Sequence, residues 1–210
     1  HPIGIISMQH QRPFTEREFG QFARWRAAGF DFVELLVPEP GELDLATTRH
    51  ALADADLGVV LAARVNLDRN LTSDDPARRQ TGVDYLRYAV DVAQQLGARV
   101  VGGPLYGNPL VFAGRAPHPV DDALRERRVQ WCVEGLAAAA PQARAAGVVL
   151  GVEPLNRFET DILNTTRQGV ALMKLVGDPG VGLVLDTFHM NMEDDDIPDA
   201  IRAAAGHVVH

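Results

Sequence analysis

Two short stretches of the sequence gather residue types that can do chemistry. One is Glu153-Pro154-Leu155-Asn156-Arg157-Phe158-Glu159, the other Asp186-Thr187-Phe188-His189-Met190-Asn191. Each follows an apolar, β-branched run, and Glu153 and Asp186 would converge if those runs were neighbouring strands. Two converging carboxylates repel unless one is protonated or a cation lies between them. A site made of oxygen and imidazole donors suits Mn²⁺ or Mg²⁺ better than the thiolate sites that zinc often takes. Simpler readings stand beside this one. Glu153 could form a structural ion pair with Arg157, Asp186 could cap a turn, and His189 could be a satisfied loop histidine. Asp194-Asp195-Asp196 reads as a solvated acidic run that caps the next helix through its dipole.

Other chemistries are poorly supplied. Ser7 and Ser73 are the only serines and no G-x-S-x-G elbow occurs, which argues against a nucleophile-elbow hydrolase. Lys174 is the sole lysine and falls in a helical pattern, so a Schiff-base aldolase lacks its amine. Cys132 is the sole cysteine, so no internal disulfide can form, and beside Trp131 in a helical pattern it reads as core. Gly102-Gly103-Pro104-Leu105-Tyr106-Gly107-Asn108-Pro109 has no Lys-Ser/Thr pair and is no P-loop.

The elements that must position the two clusters repeat regularly. Strands are expected at 3–7, 31–35, 59–63, 99–102, 148–152, 181–185 and 207–210, and helices at 16–28, 45–56, 76–96, 121–146, 166–176 and 198–205. Gly29, Gly58, Gly97, Gly147 and Gly206 mark helix-to-strand junctions, where glycine supplies the left-handed residue. Continuous apolar strands such as 147–152 suit a parallel sheet buried on both faces. Asn66, Tyr106, Glu153 and Asp186 fall at or just beyond C-terminal strand ends, which in a barrel form one rim. No glycine fingerprint follows the first strand, so an α/β (β/α)8 TIM barrel is favoured over a doubly wound nucleotide-binding sheet.

Composition sets the outer limits. With 46% hydrophobic and 23% charged residues the chain is an ordinary globular sequence, neither disordered nor fibrous. Twenty basic against 28 acidic residues give a net charge of −8, which disfavours nucleic acid as a partner. No apolar run is long enough to cross a membrane and no signal peptide is legible, so a cytoplasmic protein is expected.

At the two clusters, with Val101-Gly-Gly-Pro-Leu-Tyr106 and Asp199-Ala-Ile-Arg202, the sequence resembles the xylose isomerase-like sugar phosphate isomerase/epimerase superfamily. Within it the resemblance is greatest to the D-tagatose 3-epimerase and D-psicose (allulose) 3-epimerase group. It extends along the whole chain and implies a single barrel domain over 1–210. It also implies a divalent metal, Mn²⁺ first with Co²⁺ or Mg²⁺ as alternatives, and a small sugar substrate. Carried over, Glu153 is metal ligand and catalytic carboxylate, Asp186 a second ligand, and Glu159 and His189 bind sugar hydroxyls. The implied reaction is ketose 3-epimerisation, by deprotonation and reprotonation at C3 through a metal-stabilised cis-enediolate. A homo-oligomer is implied as well.

The family's third ligand, the second histidine of an H-x-H pair, aligns two residues beyond His210, and its fourth is a glutamate at the end of strand eight. His210 matches the first histidine of the pair and is not assigned as a ligand. Because a barrel takes ~250 residues, the expectation is a barrel C-terminally truncated after about strand seven, about three elements short and inactive as it stands. Two alternative functions remain: a C-glycoside deglycosidase-type lyase acting on 3-keto-sugar conjugates, for which Asn108 to Pro119 would shape a roomier site, and a catalytically incomplete sugar-binding or partner subunit.

Overall fold

A computed structural model describes residues 2–107 and 121–210. Six parallel strands, β1 (Gly4–Ile6), β2 (Phe32–Leu36), β3 (Gly58–Ala62), β4 (Val100–Gly103), β5 (Val149–Val152) and β6 (Val181–Leu183), lie in the order β1-β2-β3-β4-β5-β6. The order never reverses, as a doubly wound sheet would require. Unbroken succession is how a (β/α) barrel is wound. The intervening helices are α1 (Gly20–Ala27), α2 (Leu45–Asp54), α3 (Pro76–Leu96), α4 (Asp122–Ala146) and α5 (Thr166–Val176), followed by α6 (Thr187–Glu193) and α7 (Ile197–Ala204). The loop Asn108 to Pro119, on which the lyase alternative draws, lies outside the described residues.

Local signals explain most boundaries. Asp75 accepts a hydrogen bond from the Ala77 amide ahead of Pro76, and α3 ends at Gly97 with φ 82°. Thr165 and Gln168 form a capping box at the start of α5. The helix expected over 16–28 divides instead into a 3-10 turn, Glu16–Glu18, and α1. Thr15 and Glu18 close a capping box around that turn, and the α-helix proper begins at Gly20. Of the five junction glycines, Gly29, Gly97 and Gly147 adopt positive φ but Gly58 and Gly206 do not. Before β3 the left-handed position falls to Asp56, φ 50°, two residues ahead of Gly58.

Two elements depart further from expectation. No helix is expected over residues 187–193, yet they form α6, because Asp186 caps them by accepting from the Phe188 amide at 2.7 Å. Seven residues are too few for a 3.6-residue period to show. The seventh strand over 207–210 is reduced to a parallel bridge between Leu183 and Val208. Leu183 donates to the His207 carbonyl and Leu185 to the His210 carbonyl, so the segment takes the seventh place beside β6 while pairing on one side.

The core lies between sheet and helices. Val33, Leu35, Leu61, Val101 and Leu150 of the strands are buried in one cluster with Leu86 and Ala89 of α3 and Leu136 of α4. The opposite face of the sheet, toward the barrel interior, carries glycines on three adjacent strands. A Cβ on Gly151 would lie 2.7 Å from Val184 Cγ2, and one on Gly182 would lie 2.5 Å from Val209 Cγ1 and 2.9 Å from the His207 carbonyl. Their missing side chains make room for the segments that carry the site.

Gly182→Ala is therefore expected to overpack the interior and destabilise the protein by about 1–3 kcal/mol. At roughly 2–4 °C per kcal/mol for a chain of this size, thermal unfolding followed by circular dichroism would show a clear fall in Tm. An unchanged Tm would mean that residues 207–209 do not pack on β6.

Candidate active site

Glu153 follows β5 directly, its amide donating to the Gly103 carbonyl at 2.9 Å, so the strand ladder fixes its backbone. Asp186 is the cap of α6 and His189 stands one turn later on the same face. The expected convergence occurs: donor atoms of Glu153, Asp186 and His189 lie within 4.8 Å of one another. His189 Nε2 is 3.8 Å from Glu153 Oε1 and 3.8 Å from Asp186 Oδ2. Glu159 reaches the same cavity, which has a volume of about 680 Å³. That is within the range of small-molecule sites.

Asn156 organises this group, although nothing in its motif marks that role. It is 2% exposed. Its Oδ1 accepts from the Phe158 amide at 3.0 Å, which fixes the orientation of the side-chain amide. Nδ2 then donates to Glu159 Oε1 at 2.9 Å and faces His189 Nδ1 at 2.9 Å. The Asn156 backbone amide also donates to His189 Nδ1, at 3.1 Å. An N–H can only donate, so Nδ1 is the unprotonated nitrogen and Nε2 carries the hydrogen. His189 thus presents an N–H to the cavity. Of the three groups that could hold a metal ion, the two carboxylates keep free lone pairs for one.

Burial sets the protonation of Glu153. Its pKa is pushed up to about 8, first by desolvation and then by the negative charges of Asp186, Glu34 and Glu159. A carboxyl this reluctant to ionise among other carboxylates fits a place suited to a cation, since oxygen donors suit hard divalent ions.

Several readings need correction. Arg157 does not pair with Glu153; its Nε lies 2.9 Å from Glu193 Oε1 and its amide donates to the same oxygen, tying the β5 loop to α6. The run 194–196 caps the next helix as expected, Asp196 accepting from the Asp199 amide at the start of α7, but it is not wholly solvated, since Asp194 accepts from Thr166 Oγ1 at 2.6 Å at the start of α5. Tyr106 is wholly buried and does not line the cavity; its hydroxyl lies 3.5 Å from the Leu163 carbonyl. Asn66 accepts from the amides of Asp68 and Arg69 in a tight turn and does not line the cavity.

Glu34 and His210 line the cavity and are not among the site residues expected from the sequence. A signal for Glu34 is present there: a lone carboxylate within Phe-Val-Glu-Leu-Leu, inside a strand whose neighbours are apolar.

Comparison with known proteins places this arrangement. The family described as xylose isomerase-like TIM barrel matches residues 22–210. The chain is 38% identical over 210 residues to an L-ribulose 3-epimerase of Mesorhizobium japonicum, covering 98% of this chain and 67% of that protein. It is 36% identical to a D-psicose 3-epimerase of Agrobacterium fabrum, covering 87% of this chain and 62% of the relative. A solved L-ribulose 3-epimerase structure superimposes with a TM-score of 0.89 at 33% identity, over 98% of this chain and 67% of that one. The chain thus spans about three-fifths to two-thirds of the length of these relatives.

Two outcomes follow from the geometry. Because the folded-state pKa of Glu153 lies above its unfolded value, folding takes up a proton between about pH 4.5 and 8. The metal-free protein should lose stability as pH rises through that window, and Glu153→Gln should remove the loss, adding about 2–4 kcal/mol above pH 8 and nothing near pH 4. Denaturant titrations in chelator across pH would check this. Secondly, ¹⁵N spectra of imidazole-labelled protein should show His189 with Nε2 protonated, and Asn156→Ala, which keeps the backbone amide that donates to Nδ1, should leave that tautomer predominant; a protonated Nδ1 in either protein would refute the assignment.

Proposed function

We propose, from the premise that the chain belongs to the xylose isomerase-like TIM barrel family, that the full-length protein is a divalent-metal-dependent ketose 3-epimerase. The observation that carries this reading is Glu153: a half-buried carboxylate facing a sugar-sized cavity beside Asp186 and the His189 N–H, with its pKa raised to about 8 by desolvation and neighbouring charge. The names of the similar proteins, L-ribulose and D-psicose 3-epimerases, point the same way.

In this proposal Glu153 and Asp186 hold the metal, with Mn²⁺ assigned first and Co²⁺ or Mg²⁺ as alternatives. A cation held there would supply Lewis-acid polarisation of substrate oxygen. Glu153 takes the proton from C3. Desolvation raises its proton affinity, and a cation beside it would lower that affinity again, so that Glu153 would be ionised, as a base must be, in the loaded site. Negative charge then gathers on substrate oxygen, where the His189 N–H donates a hydrogen bond that strengthens as the charge develops. Glu159 accepts from a sugar hydroxyl. Asn156 keeps both in place, so neither must reorganise during the reaction. Delivery of a different proton to C3 by a second acid on the opposite face would give the C3 epimer, with Glu153 keeping the proton it took.

The setting we propose is one barrel domain over 1–210 in a cytoplasmic homo-oligomer. Among the described residues no helix is long and apolar enough to cross a membrane.

The test is solvent-deuterium incorporation at C3 of a ketohexose by the metal-loaded full-length protein. Glu153→Gln should lower it by about 10²–10⁴-fold, the contribution of a general base. Exchange at the unmutated rate would exclude Glu153 as the base. In parallel, Asp186→Ala should lower the bound divalent ion per chain measured by elemental analysis, and an unchanged ratio would remove Asp186 as a ligand.

A further inference from the structure

Glu34 is a carboxylate in an unusual position. It lies on β2 in register with Ile6 and Val60, flanked by the buried Val33 and Leu35, and it shares the inward face of the strand with Phe32 and Leu36. Its side chain is 21% exposed and lines the same cavity as Glu153, Asp186 and Glu159. Its charge is felt at Glu153, yet β2 is three strand positions from β5, and Glu34 is not among the groups that converge on the candidate metal position. Among the described residues its one polar neighbour is His210, whose Nε2 is 3.4 Å from Oε2; the His210 ring packs edge-on against Phe32 at 5.6 Å. No backbone amide or hydroxyl among the described residues donates to it.

A carboxylate has about four acceptor positions, and one contact at 3.4 Å leaves most of those of Glu34 open to the cavity. The ketose reading, on which this step rests, supplies the missing donors, because a sugar is a row of hydroxyls. The reacting end of the ketose belongs at Glu153 and Asp186, which leaves Glu34 for the remainder of the chain. We propose that Glu34 is a specificity-determining residue that accepts a hydrogen bond from a substrate hydroxyl away from C3, with His210 and Phe32 holding it in position. The other role open to the pair is a structural clasp between β2 and the segment beside β6. A clasp would alter stability without discriminating among sugars.

The distinguishing experiment compares unmutated and Glu34→Gln full-length, metal-loaded protein on a ketohexose and on its monodeoxy analogues, each lacking one hydroxyl. Removing the charged acceptor should raise KM for the parent sugar about tenfold or more, with a much smaller change in kcat. For the analogue that lacks the recognised hydroxyl, the substitution should have no further effect. A penalty equal across all the sugars, or no penalty, would overturn the proposal in favour of the clasp. If the unmutated protein turns over no ketose, the epimerase reading fails separately. Calorimetric binding of the same sugars to the two proteins then decides the role of Glu34. Should Glu34→Gln fold poorly, Glu34→Asp, which keeps the charge but draws it back by one methylene, should give the same selective loss.

Discussion

The site depends on one constraint, the desolvation of Glu153 among other carboxylates. Glu34, Glu153, Glu159 and Asp186 face one cavity, and Glu153 sits where desolvation and the other three charges all oppose its ionisation. A fold meant only for stability would replace such a group or pair it with a cation. Here the nearby arginine turns away to Glu193, and the histidine offers an N–H 3.8 Å from Glu153. The unfavourable charge is what gives Glu153 high proton affinity and makes room for a positive ion, so the cost in stability and the capacity for chemistry have the same origin.

The scaffold keeps these groups from relaxing apart. The Glu153 amide is anchored to β4 by a backbone hydrogen bond, Asp186 spends one oxygen capping α6, and His189 is held from behind by Asn156. Arg157 and Glu193 lock the loop after β5 to the helix after β6. The two carboxylates therefore belong to different elements whose separation is set by adjacent parallel strands and their ladder. Glycines at 151 and 182 leave the interior face shallow enough for Val184 and Val209 to pack there. Pocket chemistry and strand geometry are thus the same problem: side chains at the rim can be polar because the layer beneath is filled with small, apolar groups.

Residues at strand ends inside dense polar motifs are legible in the sequence, because neighbouring parallel strands make their convergence nearly automatic. That is why Glu153 and Asp186 come together as expected, while Glu159 and His189, expected from the resemblance, reach the same cavity. Tyr106 and Asn66 show the limit of the same logic: position along a strand does not say whether a side chain points into the cavity or packs behind it, and both do other work. Asn156 is hidden because its value lies in three hydrogen bonds whose geometry exists only after folding. Glu34 is hidden for another reason. It belongs to no motif, and only its isolation in an apolar strand marks it. The helix α6 is masked because the residues that cap and form it read as chemistry, which some of them are as well.

On the proposed reading, Glu153 keeps a proton until a cation arrives. Titrating the metal-free protein with Mn²⁺ at pH 7 in buffers of different ionisation enthalpy measures this directly, because binding to a protonated ligand must expel the proton into the buffer. With a pKa of about 8 at Glu153, the observed heats should vary with buffer and correspond to about one proton released per ion, and Glu153→Gln should abolish the release. Heats that are the same in every buffer would show that Glu153 is already ionised, contradicting a site in which metal and proton compete for one buried carboxylate.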